Sequence, residues 1–160
     1  MRRDQHPGAC QCSVCQQVEE GVPREEALRR LHGWEARQLR KHGFYVHFIV
    51  EGLSNGMADI HTHGIRESFG HAEFQLTVNV GDRNALAIFH ALVDRVRAGE
   101  VFRTGVDYKD IARGYKTRFI DATEGGRPVL RLVVPDVSGN LEKETMDLQF
   151  AKQYECLEDS

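Results

Sequence analysis

The feature of this sequence that most restricts its fold is the alternation of apolar and polar residues in three separate segments. Apolar side chains fall at every second position from Phe44, Phe74 and Leu130 onward, and a repeat of two residues is typical of a β-strand that buries one face. Residues 57–64 and 115–122 predict two more strands, and the second of these forms a hairpin with residues 128–134. We therefore expect a mainly antiparallel sheet of about five strands.

Two other segments repeat with the period of a helix. The first begins at Pro23, a residue suited to the first helical position, and Gly43 is placed to end it. The second begins at Asp82, ends by residue 99 and carries a wide apolar stripe. Residues 106–113 predict a short helical turn, and the tail from residue 141 onward favours no single structure.

Length and composition indicate a protein with one main core. The chain has 160 residues, of which 41% are hydrophobic and 28% charged, so it can bury a core without disulfide or metal staples. We expect an α+β domain over residues 23–160, in which the sheet packs its apolar side against the two helices. A Cys-rich arm of residues 1–22 precedes this domain.

The arm contains a cluster of thiols that suits a metal ion. Cys10, Cys12 and Cys15 fall within six positions, and thiolates at this density form the tetrahedral shell that zinc prefers. His6 and Cys156 are the two candidates for the fourth ligand. A closed shell of this kind is typical of a structural zinc site.

Two interpretations compete with zinc at the thiol cluster. The cysteines could form a disulfide in an exported protein, or they could be unpaired thiols, with Cys12 and Cys15 as a redox pair. The first residues include no apolar run of the kind found in a secretory signal. We therefore expect a cytoplasmic protein, in which clustered thiols more often bind metal than form structural disulfides.

The charge balance restricts the partners. The formal net charge is -3, whereas general nucleic-acid binders carry a positive excess on one surface. No apolar segment is long enough to span a membrane. We therefore expect neither nucleic acid nor membrane as a partner, while a protein partner, a small molecule and self-association stay open.

A second set of metal-ligating residues lies in the strand region. His61 and His63 are two apart, as are His71 and Glu73, and residues two apart on a strand share a face. If the two segments are neighbours, all four donors converge on a second transition-metal site, with Glu73 as a ligand or a general base. His47 lies on the polar side of its own strand and could add an imidazole. A solvated polar face accounts for the same pattern equally simply.

A series of short segments gives the chain a family resemblance. In chain order they are His61-Thr-His-Gly-Ile65, Gly70-His-Ala-Glu73, Asp94-Arg-Val-Arg-Ala-Gly-Glu-Val-Phe102, Gly105, Gly114-Tyr115 and Leu130-Arg-Leu-Val-Val-Pro-Asp136. Together they resemble the bacterial family called domain of unknown function 4262, over about residues 40 to 140, and the Cys-rich arm resembles a leader found in some members.

The resemblance implies a fold unit and no activity. The family motif reads aromatic-Thr-Val-Gly-Leu where this chain has residues 61–65, so the chain departs from it at His61 and His63. Gly70, His71 and Glu73 match the family, and a four-ligand site is not implied as a family property.

Three functions follow from these residues. The first is a metal-binding protein with zinc in the arm and a His-rich sheet face that holds a ligand or second metal. The second is a metal-dependent hydrolase or oxygenase that uses His61, His63, His71 and Glu73. The third is an accessory protein that recognises a peptide or protein partner. The sequence leaves open whether the protein is an enzyme.

Overall fold

The computed structural model describes residues 13–49 and 57–157, which form two units. The first unit extends to His42 and contains α1 (Ser13–Glu19) and α2 (Arg24–His42). The two helices pack on each other, and the Arg30 guanidinium of α2 donates to Gln17 Oε1 of α1 at 3.2 Å. The first unit, as its contacts define it, therefore ends at His42.

The second unit begins at Gly43 and contains a single sheet of six strands within the described residues. The strands are β1 (Tyr45–Ile49), β2 (Met57–His63), β3 (Glu73–Val78), β4 (Asp107–Ala112), β5 (Tyr115–Glu124) and β6 (Arg127–Val133), in the spatial order β1-β2-β3-β6-β5-β4. The helices of this unit are α3 (Ile65–Phe69), α4 (Asp82–Arg97) and α5 (Leu148–Ala151), and a 3₁₀ turn over Lys152–Tyr154 follows α5.

All neighbouring strands are antiparallel except β3 and β6, which are parallel. The predicted mainly antiparallel α+β fold is thus confirmed, but the number of strands was underestimated. The predicted helical turn over residues 106–113 was wrong, because Asp107–Ala112 is strand β4 and pairs with β5. Gly114, at φ 82°, forms the tight turn between the two strands.

The main core lies between the sheet and α4. Phe89 and Leu92 of α4 are fully buried together with the sheet residues Phe74, Leu76 and Phe119. Phe74 and Leu76 belong to the predicted apolar alternation, and Phe89 and Leu92 to the predicted apolar stripe, whereas Phe119 was not predicted as a core residue. The predicted α4 is confirmed within two residues at its end, whereas α2 belongs to the first unit.

The tail from residue 141 forms a second, smaller core with the sheet. Leu141, Met146 and Ala151 pack against Val133, which lies on the strand face opposite to Leu132. Gln153 is fully buried, accepts from the backbone N–H of Val134 and donates to its carbonyl. The only α-helix in the described part of this tail is the short α5.

Within the described ranges, no helix combines the length and the apolar character needed to cross a bilayer.

Gly43 gives a test of the packing around α3. Its φ is 80°, and a Cβ added there would lie 2.7 Å from Phe69 Cζ. We expect Gly43→Ala to lose about 1–2 kcal/mol of unfolding free energy from the left-handed backbone and about 1–3 kcal/mol more from the contact. Gly114→Ala is the matched control, because its φ is 82° and a Cβ there would meet nothing within 4 Å. Equal losses in urea denaturation of the two variants would contradict the packing argument.

Candidate metal centre

Four strand ends meet at one end of the sheet. β2 ends at His63 and runs antiparallel to β3, so it ends where β3 begins. Because β6 is parallel to β3, β6 also begins there, and the β5–β6 turn lies beside it. Side chains from the end of β2 and from the turn at Glu124 are thereby brought together.

His61 lies at the centre of this group. Its side chain is 1% exposed. Its Nε2 atom lies 3.1 Å from His63 Nε2 and 3.4 Å from Glu124 Oε1. Its Nδ1 atom lies 2.9 Å from Asp59 Oδ1. Both ring nitrogens of His61 therefore have polar partners.

The neighbouring strand β1 adds two aromatic rings on the same face. His47 pairs with His61 in the strand register, and Tyr45 pairs with His63. The rings of Tyr45 and His63 are stacked, with centroids 5.0 Å apart. His47 is exposed, and one nitrogen from each of His47, His61 and His63 lies within 4.8 Å of the other two. Three imidazoles thus share one small region.

A series of buried hydrogen bonds holds Asp59, the partner of His61 Nδ1. Asp59 Oδ1 also accepts from Gln75 Nε2 at 2.9 Å, and Gln75 Oε1 accepts from Arg131 Nε at 2.8 Å. Burial alone would raise the pKa of Asp59, but the hydrogen bonds from His61 and Gln75 and the charge of Arg131 lower it below its ordinary value. Asp59 is therefore an ionised acceptor, which requires His61 Nδ1 to carry a proton.

Arg131 links this chain to the tail. Arg131 is only 2% exposed. Its Nη1 donates to the carbonyl of Gln153 at 2.8 Å and to the carbonyl of Glu155 at 2.5 Å. Burial lowers the pKa of the guanidinium, and the Asp59 carboxylate opposes this. Arginine nevertheless stays protonated in proteins, so the chain contains a buried cation and a largely buried anion.

Glu124 is oriented by the neighbouring Arg127. Arg127 Nη2 and Nε donate to Glu124 Oε2 at 2.6 and 3.1 Å. This leaves Oε1 as the oxygen that faces His61. His61 Nε2 thus lies between a ring nitrogen of His63, at 3.1 Å, and a carboxylate oxygen of Glu124, at 3.4 Å.

Family comparison gives a clear result for the second unit. The family model for the domain of unknown function DUF4262 matches residues 38–128, more than half of the chain. The chain belongs to the DUF4262 family. No curated protein and no solved structure matches it.

The DUF4262 match confirms the family resemblance seen in the sequence and covers β1 to the start of β6. It therefore contains the three histidines, Asp59, Glu124 and Arg127. Arg131 and the tail segment that binds it lie after the matched region.

His71 does not join the other predicted ligands. Its Nε2 accepts from the backbone N–H of Phe102 at 3.1 Å, and its Nδ1–H donates to the carbonyl of Ala72 at 2.9 Å. The ring also packs against the rings of Phe74 and Phe102. Both nitrogens have backbone partners, so His71 joins the 102 region to β3 instead of pointing toward His61.

Glu73 also has other partners than the predicted ones. Its Oε1 accepts from the backbone N–H groups of Gly64 and Arg66, at the start of α3, and its Oε2 accepts from Thr62 Oγ1 at 2.7 Å. Thr62 Oγ1 in turn accepts from the Phe74 N–H. The predicted group of four is therefore corrected: His61 and His63 come together, while His71 and Glu73 hold the backbone.

The thiol cluster lies mostly outside the described residues. His6, Cys10 and Cys12 are outside them, Cys15 lies half-buried in α1, and Cys156 is exposed after the 3₁₀ turn. Zinc at this cluster stays a prediction.

Sequence reasoning missed Asp59 and Glu124. Asp59 shares strand parity with His61 and His63, which was a usable signal. Glu124 was assigned only to a hairpin turn, and no local pattern relates it to His61, because the relation depends on the parallel pairing of β3 and β6.

The surroundings of His63 predict a pH dependence. Burial, the Arg127 guanidinium and the nearby His61 lower the pKa of His63 to about 4, from an ordinary value of 6.5. Because the pKa is lower in the folded state, the contribution of His63 to stability is complete above pH 6.5 and is lost as the pH falls through about 4.

We therefore expect the His63 ring of the metal-free protein to titrate near pH 4 in an NMR titration, with His63→Gln used to assign its signal. In denaturation at several pH values, the stability advantage of the wild type over this variant should shrink as the solution is acidified. A ring that titrates at its ordinary value would contradict the assignment.

Proposed function

We propose that the protein binds a divalent transition-metal ion at the end of its sheet, through one ring nitrogen each of His47, His61 and His63. The observation that carries the proposal is that one nitrogen from each of these three rings lies within 4.8 Å of the other two. Imidazole donors suit zinc, iron, nickel or copper.

The positions of the three histidines support one shared ion. Metal–ligand distances of about 2.0–2.2 Å, at octahedral or tetrahedral angles, place two neighbouring donors about 2.8–3.6 Å apart. The 3.1 Å between His61 Nε2 and His63 Nε2 lies in this range, and one nitrogen of His47 lies within 4.8 Å of both other histidines.

The partners of the ligands also support the proposal. Metal-binding histidines usually donate their second ring N–H to a carboxylate or carbonyl, which fixes the tautomer. Asp59 does this for His61, and Gln75 and Arg131 hold Asp59 in turn. His61 is thus oriented before an ion arrives.

A second candidate function is a metal-dependent hydrolase or oxygenase. The observation that favours it is the ligand set, since three imidazoles leave a coordination position open in such enzymes. A cleft of about 460 Å³ in the described residues counts against an enzyme at this site, because none of the proposed ligands lines it. Its lining includes His71, Phe102 and Leu130. We therefore place metal binding first.

Metal titration of ligand variants tests the proposal. Isothermal titration of the full chain with Zn²⁺ should lose the binding event of the sheet site in His63→Ala and in His47→Ala. Asp59→Ala should keep it with an affinity roughly 10–100-fold lower, because the orienting partner of His61 is lost. Glu73→Gln is the control for loss of a buried carboxylate, since Glu73 binds backbone groups instead.

His32→Ala, at an exposed position of α2, is the control for loss of an imidazole. Unchanged zinc affinity in both His63→Ala and His47→Ala would refute the proposed ligands.

We also propose that the arm holds zinc through Cys10, Cys12 and Cys15, with His6 or Cys156 as the fourth ligand, in a reducing cytoplasmic location. Elemental analysis of purified protein should find one zinc per chain at this cluster in addition to metal at the sheet. Cys12→Ser should remove the former and keep the latter. Equal zinc content in the wild type and Cys12→Ser would exclude the thiol site.

A further inference from the structure

The cleft of about 460 Å³ lies on the face of the sheet that packs against α4. Asp121 of β5 is paired with Leu130 of β6, and both residues line the cleft. Asp121 lies two residues after the core residue Phe119, so it shares the α4 face, whereas Ile120 packs on the opposite face. The end of α3, the end of α4 and residues 99–104 form the other walls. Asp121 is exposed, so α4 leaves this part of the face uncovered.

Most of the lining of the cleft is apolar. Val96, Phe102 and Leu130 are buried and form its floor, while Val101 is 58% exposed and lies at its mouth. Both ring nitrogens of His71 have backbone partners, so His71 contributes only the surface of its ring. Small-molecule sites are typically clefts of about 300–1000 Å³ with a mainly apolar lining and a few polar groups. The cleft has the size and the lining of such a site.

Two opposite charges in the lining have no partner among the described residues. They are the Arg103 guanidinium and the Asp121 carboxylate, and the one printed bond of Arg103 is from its backbone N–H to Tyr108 Oη. The third charged residue of the lining, Glu100, is held by Arg95 at 2.5 and 2.7 Å. An exposed charge needs no partner by itself. A free cation and a free anion at one apolar cleft, however, are complementary to a ligand that carries both charges.

We propose that this cleft binds a small zwitterion with an apolar side chain, of the kind represented by a free amino acid or a dipeptide. The carboxylate of the ligand pairs with Arg103 and its ammonium group with Asp121, while its side chain covers Phe102 and Leu130. Burial of the apolar side chain supplies affinity, and the two charges fix the orientation. Binding there requires no metal ion, since none of the three proposed histidine ligands lines the cleft.

An NMR titration of the full chain at neutral pH tests the site. Leucine and the dipeptide leucyl-leucine are added separately, because they carry the same side chain but hold their two charges at different distances. We expect saturable shifts in the amide signals of residues 99–104 with at least one of them, and the tighter ligand identifies the charge spacing that the cleft accepts. Glycine has both charges but no side chain, so it should bind more weakly than leucine.

Variants combined with altered ligands test which side chain binds which group. Arg103→Gln should weaken binding of the tighter ligand by roughly fivefold, the effect of losing an ion pair in partial contact with water. It should not change the binding of the amidated ligand, which has no carboxylate. Asp121→Asn should weaken the parent ligand to a similar extent and should not change the binding of its N-acetylated form. Arg113→Gln and Asp82→Asn are the matched controls, since both residues are exposed and neither lines the cleft.

Three results would overturn the zwitterion site. The first is the absence of saturable shifts at residues 99–104 with both leucine and leucyl-leucine. The second is equal affinity of the parent, amidated and N-acetylated ligands, since the cleft would then recognise neither charge. The third is an equal loss of the parent and the amidated ligand in Arg103→Gln, since the substitution would then act on the shape of the cleft and not on the carboxylate.

Discussion

The parallel pairing of β3 with β6 is the constraint on which the site depends. Glu73 lies opposite Val129, so both strands start at the same end of the sheet. The β5–β6 turn is therefore fixed next to the end of β2, and Glu124 reaches His61 across a long separation in sequence. An antiparallel arrangement would have put this turn at the other end of β3, far from the histidines.

The two faces of the sheet have different roles. One face packs against α4 through large apolar side chains, which provide most of the burial. The other face buries polar groups, and each of these is costly unless it has a hydrogen-bond partner. The chain from His61 through Asp59 and Gln75 to Arg131 meets this requirement with successive donors and acceptors. The same bonds fix the direction of the His61 lone pair.

The sequence predicted what depends on local periodicity. The apolar alternation predicted β1, β3 and β6, residues 57–64 and 115–122 added β2 and β5, and the apolar stripe predicted α4. The strand β4 was missed because most of its side chains are exposed and its stability comes from pairing with β5 and from the ion pair of Asp107 with Arg118. The local pattern of apolar and polar residues therefore predicts such an edge strand poorly.

The site was predicted only in part, for a similar reason. The parity of β2 brought His61 and His63 to one face, and the register of β1 added His47. The expected contribution of His71 and Glu73 followed the same parity rule, but the chain between β2 and β3 forms α3, whose backbone N–H groups take up the Glu73 carboxylate. Glu73 thus serves to satisfy backbone N–H groups, which the strand parity alone could not predict.

The bonds from Arg131 to the carbonyls of Gln153 and Glu155 have a practical consequence for work with this protein. A shortened clone that stops at the limit of the family match lacks Arg131 itself, and one that stops just after β6 leaves this cation in the interior with two of its acceptors missing. Such a fragment would still span the family match, yet it would disturb the hydrogen bonds that connect Arg131 through Gln75 and Asp59 to His61. Assays of this family domain therefore need the segment that follows it.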